Sequence, residues 1–171
     1  EKSANLIKPL FNGNSNVAII TSPMARAQGS AAIVAEIVKY QGEIKKVSAI
    51  QGAVAKDQGQ ARALFDEYMA GGGIKTLDMA YGTDPRYEEN PDIIEPRSEV
   101  RKRFFEYFTK LIKFLLVSRQ SPLLLICVSH YETLYHFVEG LFKLDYTKDK
   151  TLGHGEIIAV SIFDIDIKDV I

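Results

Sequence analysis

Short apolar runs alternate with longer segments of helical period along this chain. Residues 17–21 (Val-Ala-Ile-Ile-Thr) predict a buried strand, and residues 123–128 (Leu-Leu-Leu-Ile-Cys-Val) predict a second one. Ile44 to Ile50 alternates more loosely and indicates another strand, and Gly155 to Asp164 indicates the last. Because the buried runs are apolar on both faces, they favour a mostly parallel sheet covered by helices.

Helical segments separate these strands. The first is predicted to begin at Ser22-Pro23, with serine as N-cap and proline in the first helical position, and to end near Gly42. Asp57 and Gln60 resemble a capping box that opens the next helix. Apolar residues repeat at helical spacing in three segments: Met24, Ala27, Ala31, Val34 and Val38; Val100, Phe104, Phe108, Leu111 and Leu115; and Leu134, Phe137, Val138, Leu141 and Phe142.

The stretch from Gly71 to Pro96 is rich in glycine and proline and is predicted to be mostly loop, forming a lid or rim of a pocket. Gly71-Gly72-Gly73 has no adjoining lysine and serine or threonine, so it does not predict a nucleotide-binding loop. Helical period returns from Ser98. Basic residues on that helix are interpreted as a solvated face, with contact to a substrate as the less favoured alternative: Arg97, Arg101, Lys102, Arg103, Lys110 and Lys113.

Together these elements predict an α/β fold, a three-layer sandwich with a mostly parallel central sheet and helices on both faces. No repeat, linker or low-complexity segment is visible, so residues 1–171 are expected to form a single domain. A flavodoxin-like or Rossmann-like domain is the alternative, but no glycine-rich phosphate loop follows the strand at 17–21.

Composition narrows the function classes. The net charge of −1 gives no electrostatic reason to expect nucleic acid or an anionic membrane as partner. No apolar run approaches the roughly 20 residues of a membrane-spanning helix, and no signal peptide is visible. The single cysteine, Cys127, favours a reducing compartment, so we expect a cytoplasmic protein. No histidine or cysteine spacing predicts a metal site.

Two strand ends carry the candidate chemistry. The strand at 17–21 leads into Ser22, and Arg26 follows on the predicted helix; the strand at 123–128 leads into Ser129 and His130. If the strands are parallel, both ends lie at the edge of the sheet where α/β folds bind ligands, beside two helix N-termini. Arginine and histidine there would form an anion site. A solvated arginine and a structural histidine are the alternative interpretation.

Weaker candidates surround His130. Glu132 could donate a proton, although its helical spacing also suits a solvated face. His136 is interpreted as a surface residue and His154, between two glycines, as a turn residue.

These residues resemble the histidine phosphatase (phosphoglycerate mutase-like) superfamily. Residues 22–31 (Ser-Pro-Met-Ala-Arg-Ala-Gln-Gly-Ser-Ala) are similar to the family's Ser-Pro-x-x-Arg-Ala-x-x-Thr-Ala block, whose arginine binds the phosphoryl group. Residues 125–130 (Leu-Ile-Cys-Val-Ser-His) resemble its second signature, and residues 155–164 resemble its final strand. The ordered set covers nearly the whole chain.

Three features depart from the family pattern. Arg-His-Gly, whose histidine is the nucleophile, does not occur, so the nucleophile is expected upstream of this chain and the domain is expected to be N-terminally incomplete. Tyr131 stands where the family has glycine, so the resemblance places a bulky side chain beside the phosphate pocket, where Tyr131 could contact the substrate. The acidic residue of the middle region has no clear counterpart, since Ile50-Gln51-Gly52 falls near its place. Unranked substitutes are Asp57, Glu67, Asp78 and Glu132.

The resemblance implies a phosphomonoester phosphatase that acts through a phosphohistidine intermediate, with Arg26 and His130 stabilising the phosphoryl oxygens. A mutase is the less favoured enzyme. It implies no cofactor or metal, a small phosphorylated substrate or phosphate ion as ligand, and it leaves a homodimer open. The alternative is a non-catalytic phosphoryl-binding or regulatory domain that keeps Arg26 and His130 without a nucleophile.

Overall fold

The computed structural model describes residues 6–9, 16–70, 86–118, 124–131, 133 and 134. Its strands are β1 (Val17–Thr21), β2 (Ile44–Lys46) and β3 (Leu124–Val128); its helices are α1 (Ala25–Val38), α2 (Gln58–Ala70), α3 (Arg86–Glu89) and α4 (Arg97–Ser118). A 3-10 turn covers Ser48–Ile50. The described residues fall into two compact units. The sheet unit contains those up to Ser48 and Phe105–Val128, and the second unit contains Ala49–Phe104 and those from Ser129 onward.

The strands of the sheet unit form an open parallel sheet in the order β2-β1-β3. Thr21 pairs with Val128 at one end of the β1–β3 ladder, and Ile19 pairs with Ile44 on the other side of β1. The mostly parallel sheet that the sequence favoured is therefore confirmed for the neighbouring strands at 17–21 and 124–128, and helices with a parallel sheet fit an α/β protein. The strand predicted from Ile44 onward is shorter than expected.

Apolar side chains of β1 and β3 form the core of the sheet unit with α1. Ile19 and Ile126 are buried, and small residues of α1, among them Ala31 and Ala35, pack in the same cluster. Alanine has little side chain beyond the backbone, so it lets a helix approach a sheet closely. Met24, expected on this buried face, is instead 38% exposed, because it lies before the first helical residue.

Both ends of α1 differ from the prediction. Met24, rather than Ser22, is the N-cap, so the helix begins at Ala25. Ser22 instead accepts the Met24 N–H on its Oγ at 3.2 Å and turns the chain ahead of the helix. At the other end Lys39 takes the left-handed conformation, with φ 56°, that glycine usually supplies after a helix. The helix therefore ends before Gly42.

The predicted capping residues of α2 are confirmed. Asp57 Oδ1 accepts the backbone N–H of Gln60 at 2.9 Å, and Asp57 Oδ2 accepts the Gln60 side-chain amide at 2.8 Å. These hydrogen bonds stabilise the charged carboxylate and therefore lower the pKa of Asp57 below its ordinary value of 3.8. The bond from the Gln60 backbone has the largest effect, and the bond from the Gln60 side chain has the next largest.

We expect the Asp57 cap to make stability depend on pH in acid. Because the pKa of Asp57 is lowered in the folded state, its contribution is complete above the ordinary value of 3.8 and is lost as the pH falls through the lowered pKa. Asp57→Asn keeps a capping oxygen without the charge. The difference in free energy of unfolding between wild type and this variant should therefore become smaller as the pH falls below the pKa of Asp57. Urea unfolding at neutral and at acid pH measures it, with Asp66→Asn on the same helix as control. A gap that stays constant would contradict this account.

The predicted loop between Gly71 and Pro96 is partly regular at its described end. Residues 86–89 form α3, and Ile94 makes an antiparallel bridge with Ala55. Glu95 is 8% exposed and Pro96 is buried, so the last two residues of the segment belong to the interior rather than to an exposed loop. Residues 71–85 lie outside the described part of the chain.

Two further expectations concern the membrane and the cysteine. Among the described residues, no helix combines the length and the apolar content that crossing a bilayer requires.

Cys127 lies on β3, where desolvation raises the pKa of its thiol to about 12. A thiol with so high a pKa stays protonated near neutral pH, so it is a poor nucleophile.

Candidate functional site

The chain turns sharply at the end of β1. Ser22 is fully buried, and its N–H donates to the carbonyl of Val128 at 3.0 Å, which continues the β1–β3 ladder by one bond. Its burial and this hydrogen bond fix Ser22, three residues before the first residue of α1. The N-terminus of α1 is therefore held at the same end of the sheet at which β3 also ends.

Arg26 lies in the first turn of α1 and its side chain is exposed. The first turn of this helix contains no acidic residue, so no carboxylate of its own offsets the partial positive charge of the helix N-terminus. An exposed guanidinium on a helix N-terminus is a favourable place for an anion. Arg26 belongs to the sheet unit.

His130 lies two residues after β3 and is 6% exposed. Its carbonyl accepts the N–H groups of Thr133 at 3.1 Å and of Leu134 at 3.0 Å, so a helical turn opens here, as the sequence predicted. Side chains on either side of His130 also bond to one backbone segment. Ser129 Oγ donates to the carbonyl of Ile50 at 2.6 Å, and Thr133 Oγ1 donates to that of Gln51 at 2.8 Å.

The segment from Ala49 to Gly52 receives further bonds from Arg103 of α4. The guanidinium donates to the carbonyls of Ala49 and Gln51, both at 2.7 Å, and of Gly52 at 2.9 Å. Ile50 within this segment is fully buried. Buried carbonyls need hydrogen-bond donors, and the planar fork of arginine reaches several of them at once.

Glu95 holds Arg103 in place. Its Oε1 accepts from Arg103 Nε at 2.7 Å and its Oε2 from Nη2 at 3.0 Å, a two-point ion pair. Oε2 also accepts the Val54 N–H at 3.2 Å. The two side chains are 21% and 11% exposed, so solvent screens this pair much less than a surface pair.

Sequence reasoning missed Glu95 and placed Arg103 wrongly on the solvated face. A signal was present: Arg103 lies three residues after Val100, so it borders the buried helical face that Val100 and Phe104 share. A charged residue on an apolar stripe predicts a buried partner. Among the other basic residues of α4, Arg97 is half-buried and forms an ion pair with Glu88 at 3.4 Å. The remaining four are exposed: Arg101, Lys102, Lys110 and Lys113.

The remaining candidates have varied outcomes. Gln51, near the place expected for the middle acid, contributes its backbone carbonyl to the network described above. Of the substitutes, Asp57 caps α2 and Glu67 is exposed on that helix. Tyr131 is half-buried. Four candidates lie outside the described residues: Asp78, Glu132, His136 and His154.

No group of histidine, cysteine, aspartate and glutamate in the described part of the chain is arranged to hold a metal ion. Comparison with known proteins finds no family model and no curated protein that matches this chain. The assignment of function therefore depends on the residues themselves.

Proposed function

We propose that this chain is a phosphoryl-binding α/β domain of the histidine phosphatase type, and that the intact protein is a phosphomonoester phosphatase acting through a phosphohistidine. The whole domain would be a three-layer sandwich with a mostly parallel sheet. The supporting observation is the parallel pairing of β1 with β3, in which Thr21 lies opposite Val128. The Ser-Pro-x-x-Arg and Ser-His motifs thus follow paired strand ends, the edge at which α/β folds bind ligands.

In this proposal Arg26 and His130 are the phosphoryl-binding residues. Arg26 would offer a fork of N–H donors to phosphate oxygens, and a protonated imidazole of His130 would add a charged donor. Glu132 would be the proton donor, and Tyr131, in place of a glycine, would restrict the substrate. Phosphoryl transfer through histidine requires no metal or organic cofactor, because the imidazole itself carries the group.

A second candidate function has its own observation. These 171 residues contain no Arg-His-Gly, and Tyr131 adds bulk where the family has none. A domain that binds phosphoryl groups without hydrolysing them would show both features. Binding alone therefore supports the site, and hydrolysis separates the enzyme from the binding domain.

We expect Arg26→Ala to weaken the binding of phosphate or vanadate roughly 10- to 100-fold, since hydrogen bonds to a charged group contribute about 1.5–3 kcal/mol. Titration calorimetry on the chain measures the affinity at fixed ionic strength. Arg62→Ala, which removes an exposed arginine of α2, is the matched control and should bind as wild type does. Equal affinities for the two variants would remove Arg26 from the site.

A further inference from the structure

Four consecutive backbone carbonyls, those of residues 49–52, accept hydrogen bonds from side chains. Arg103 donates hydrogen bonds to three of these carbonyls, and Ser129 donates one to the carbonyl of Ile50. Thr133 donates a second hydrogen bond to the carbonyl of Gln51. The donors are far from the segment in sequence, between 51 and 82 residues away. The position of the segment is therefore set by these side chains together.

The same segment fixes the chain around His130. Ser129 precedes His130 directly, Thr133 follows it by three residues, and both bond to neighbouring carbonyls of the segment. Thr133 is fully buried, so water cannot readily replace its bond. The backbone at His130 is thus bonded on both sides to a segment that Arg103 holds.

We propose that Arg103, held by Glu95, is a positioning residue for His130. Arg103 acts through the segment 49–52, and Ser129 and Thr133 transmit the position of that segment to the His130 turn. The consequence for phosphate binding rests on the proposed function. Small displacements of a binding group lower affinity or rate sharply, so such support matters when the side chain must meet a ligand at a fixed distance.

Arginine is required here because of its shape. The guanidinium presents five N–H donors in one plane, and Arg103 directs them to a carboxylate and three carbonyls. Lysine would keep the charge opposite Glu95, but a single ammonium cannot reach the same acceptors in that geometry. Arg103→Lys therefore separates positioning from charge.

The test is the NMR signal of the His130 ring in protein labelled with ¹³C-histidine and free of phosphate. His130→Gln assigns the signal among the three histidines. We expect Arg103→Lys and Thr133→Val each to shift or broaden it. Two controls should leave it in place. Arg62→Lys makes the same change in an exposed ion pair, and Leu134→Val alters a side chain four residues from His130, one residue farther than Thr133.

Phosphate affinity, measured on the same variants, should fall roughly 2- to 10-fold for Thr133→Val, as for the loss of one hydrogen bond. An unmoved His130 signal in folded Arg103→Lys and Thr133→Val would overturn the proposal; if Arg103→Lys does not fold, Thr133→Val decides alone. A shifted His130 signal in protein that binds no phosphate would uphold the positioning role and refute the proposed function.

Discussion

Hydrolysis of an aryl phosphate by the 171-residue chain is expected to be about a million-fold slower than hydrolysis by a longer natural chain that supplies Arg-His-Gly upstream. Loss of the nucleophile in a serine protease lowers kcat by about that factor, while binding groups alone leave a small residual rate. The measurement is steady-state hydrolysis with chelator present, so that contaminating metal-dependent phosphatases contribute nothing.

Two further results would refine this prediction. Arg26→Ala in the active longer chain should abolish most of the activity, because the phosphoryl oxygens lose their charged donor. Full activity from the 171 residues alone would show that the nucleophile lies within them and that its assignment upstream is wrong. Phosphate binding without hydrolysis by the longer chain would favour the non-catalytic domain.

Arg103→Met is expected to lower the free energy of unfolding by about 3–5 kcal/mol. The variant leaves the carboxylate of Glu95, 11% exposed, without its cation, and it leaves the carbonyls of the segment 49–52 without their principal donor. Both effects destabilise the folded state, because these groups lose their hydrogen bonds to water on folding and, in the variant, have lost the Arg103 donors that replaced them. Urea unfolding measures the change in the transition midpoint.

Arg62→Met is the matched control for this experiment. Its ion pair with Asp66 has side chains 71% and 56% exposed, so its loss should cost at most about 1 kcal/mol. Glu95→Met combined with Arg103→Met should recover part of the loss, because no uncompensated charge remains buried. Equal destabilisation by Arg103→Met and Arg62→Met would show that the Glu95–Arg103 pair does not stabilise the second unit.

Local signals predicted the sheet unit well. The apolar runs of β1 and β3 are short and continuous, and such runs are typical of strands in a parallel sheet. The cap at Asp57 is equally local, because both partners lie within three residues. The ends of α1 were less predictable. Ser22 accepts the N–H of Met24 instead of capping the helix, and Lys39 takes the left-handed conformation that ends the helix three residues before Gly42.

The polar network of the second unit could not be predicted in the same way. Arg103 meets Glu95 across eight residues and the segment 49–52 across more than fifty, and no local pattern specifies such contacts. The spacing of Arg103 from Val100 was a local sign of burial that the sequence analysis overlooked, and no local pattern identifies Glu95 as its partner. The sequence singled out Ser129 and His130 because they directly follow a strand, but it did not predict the hydrogen bonds that Ser129 and Thr133 make to Ile50 and Gln51.

A phosphate titration followed by amide NMR tests the central claim most directly, since it locates the bound anion on the chain. We predict shifts at the amides that follow β1, from Met24 to Arg26, and at those that follow β3, Ser129 and His130. A chloride titration at equal ionic strength should leave these signals in place. Phosphate shifts at other residues only, or none at saturating phosphate, would contradict the account.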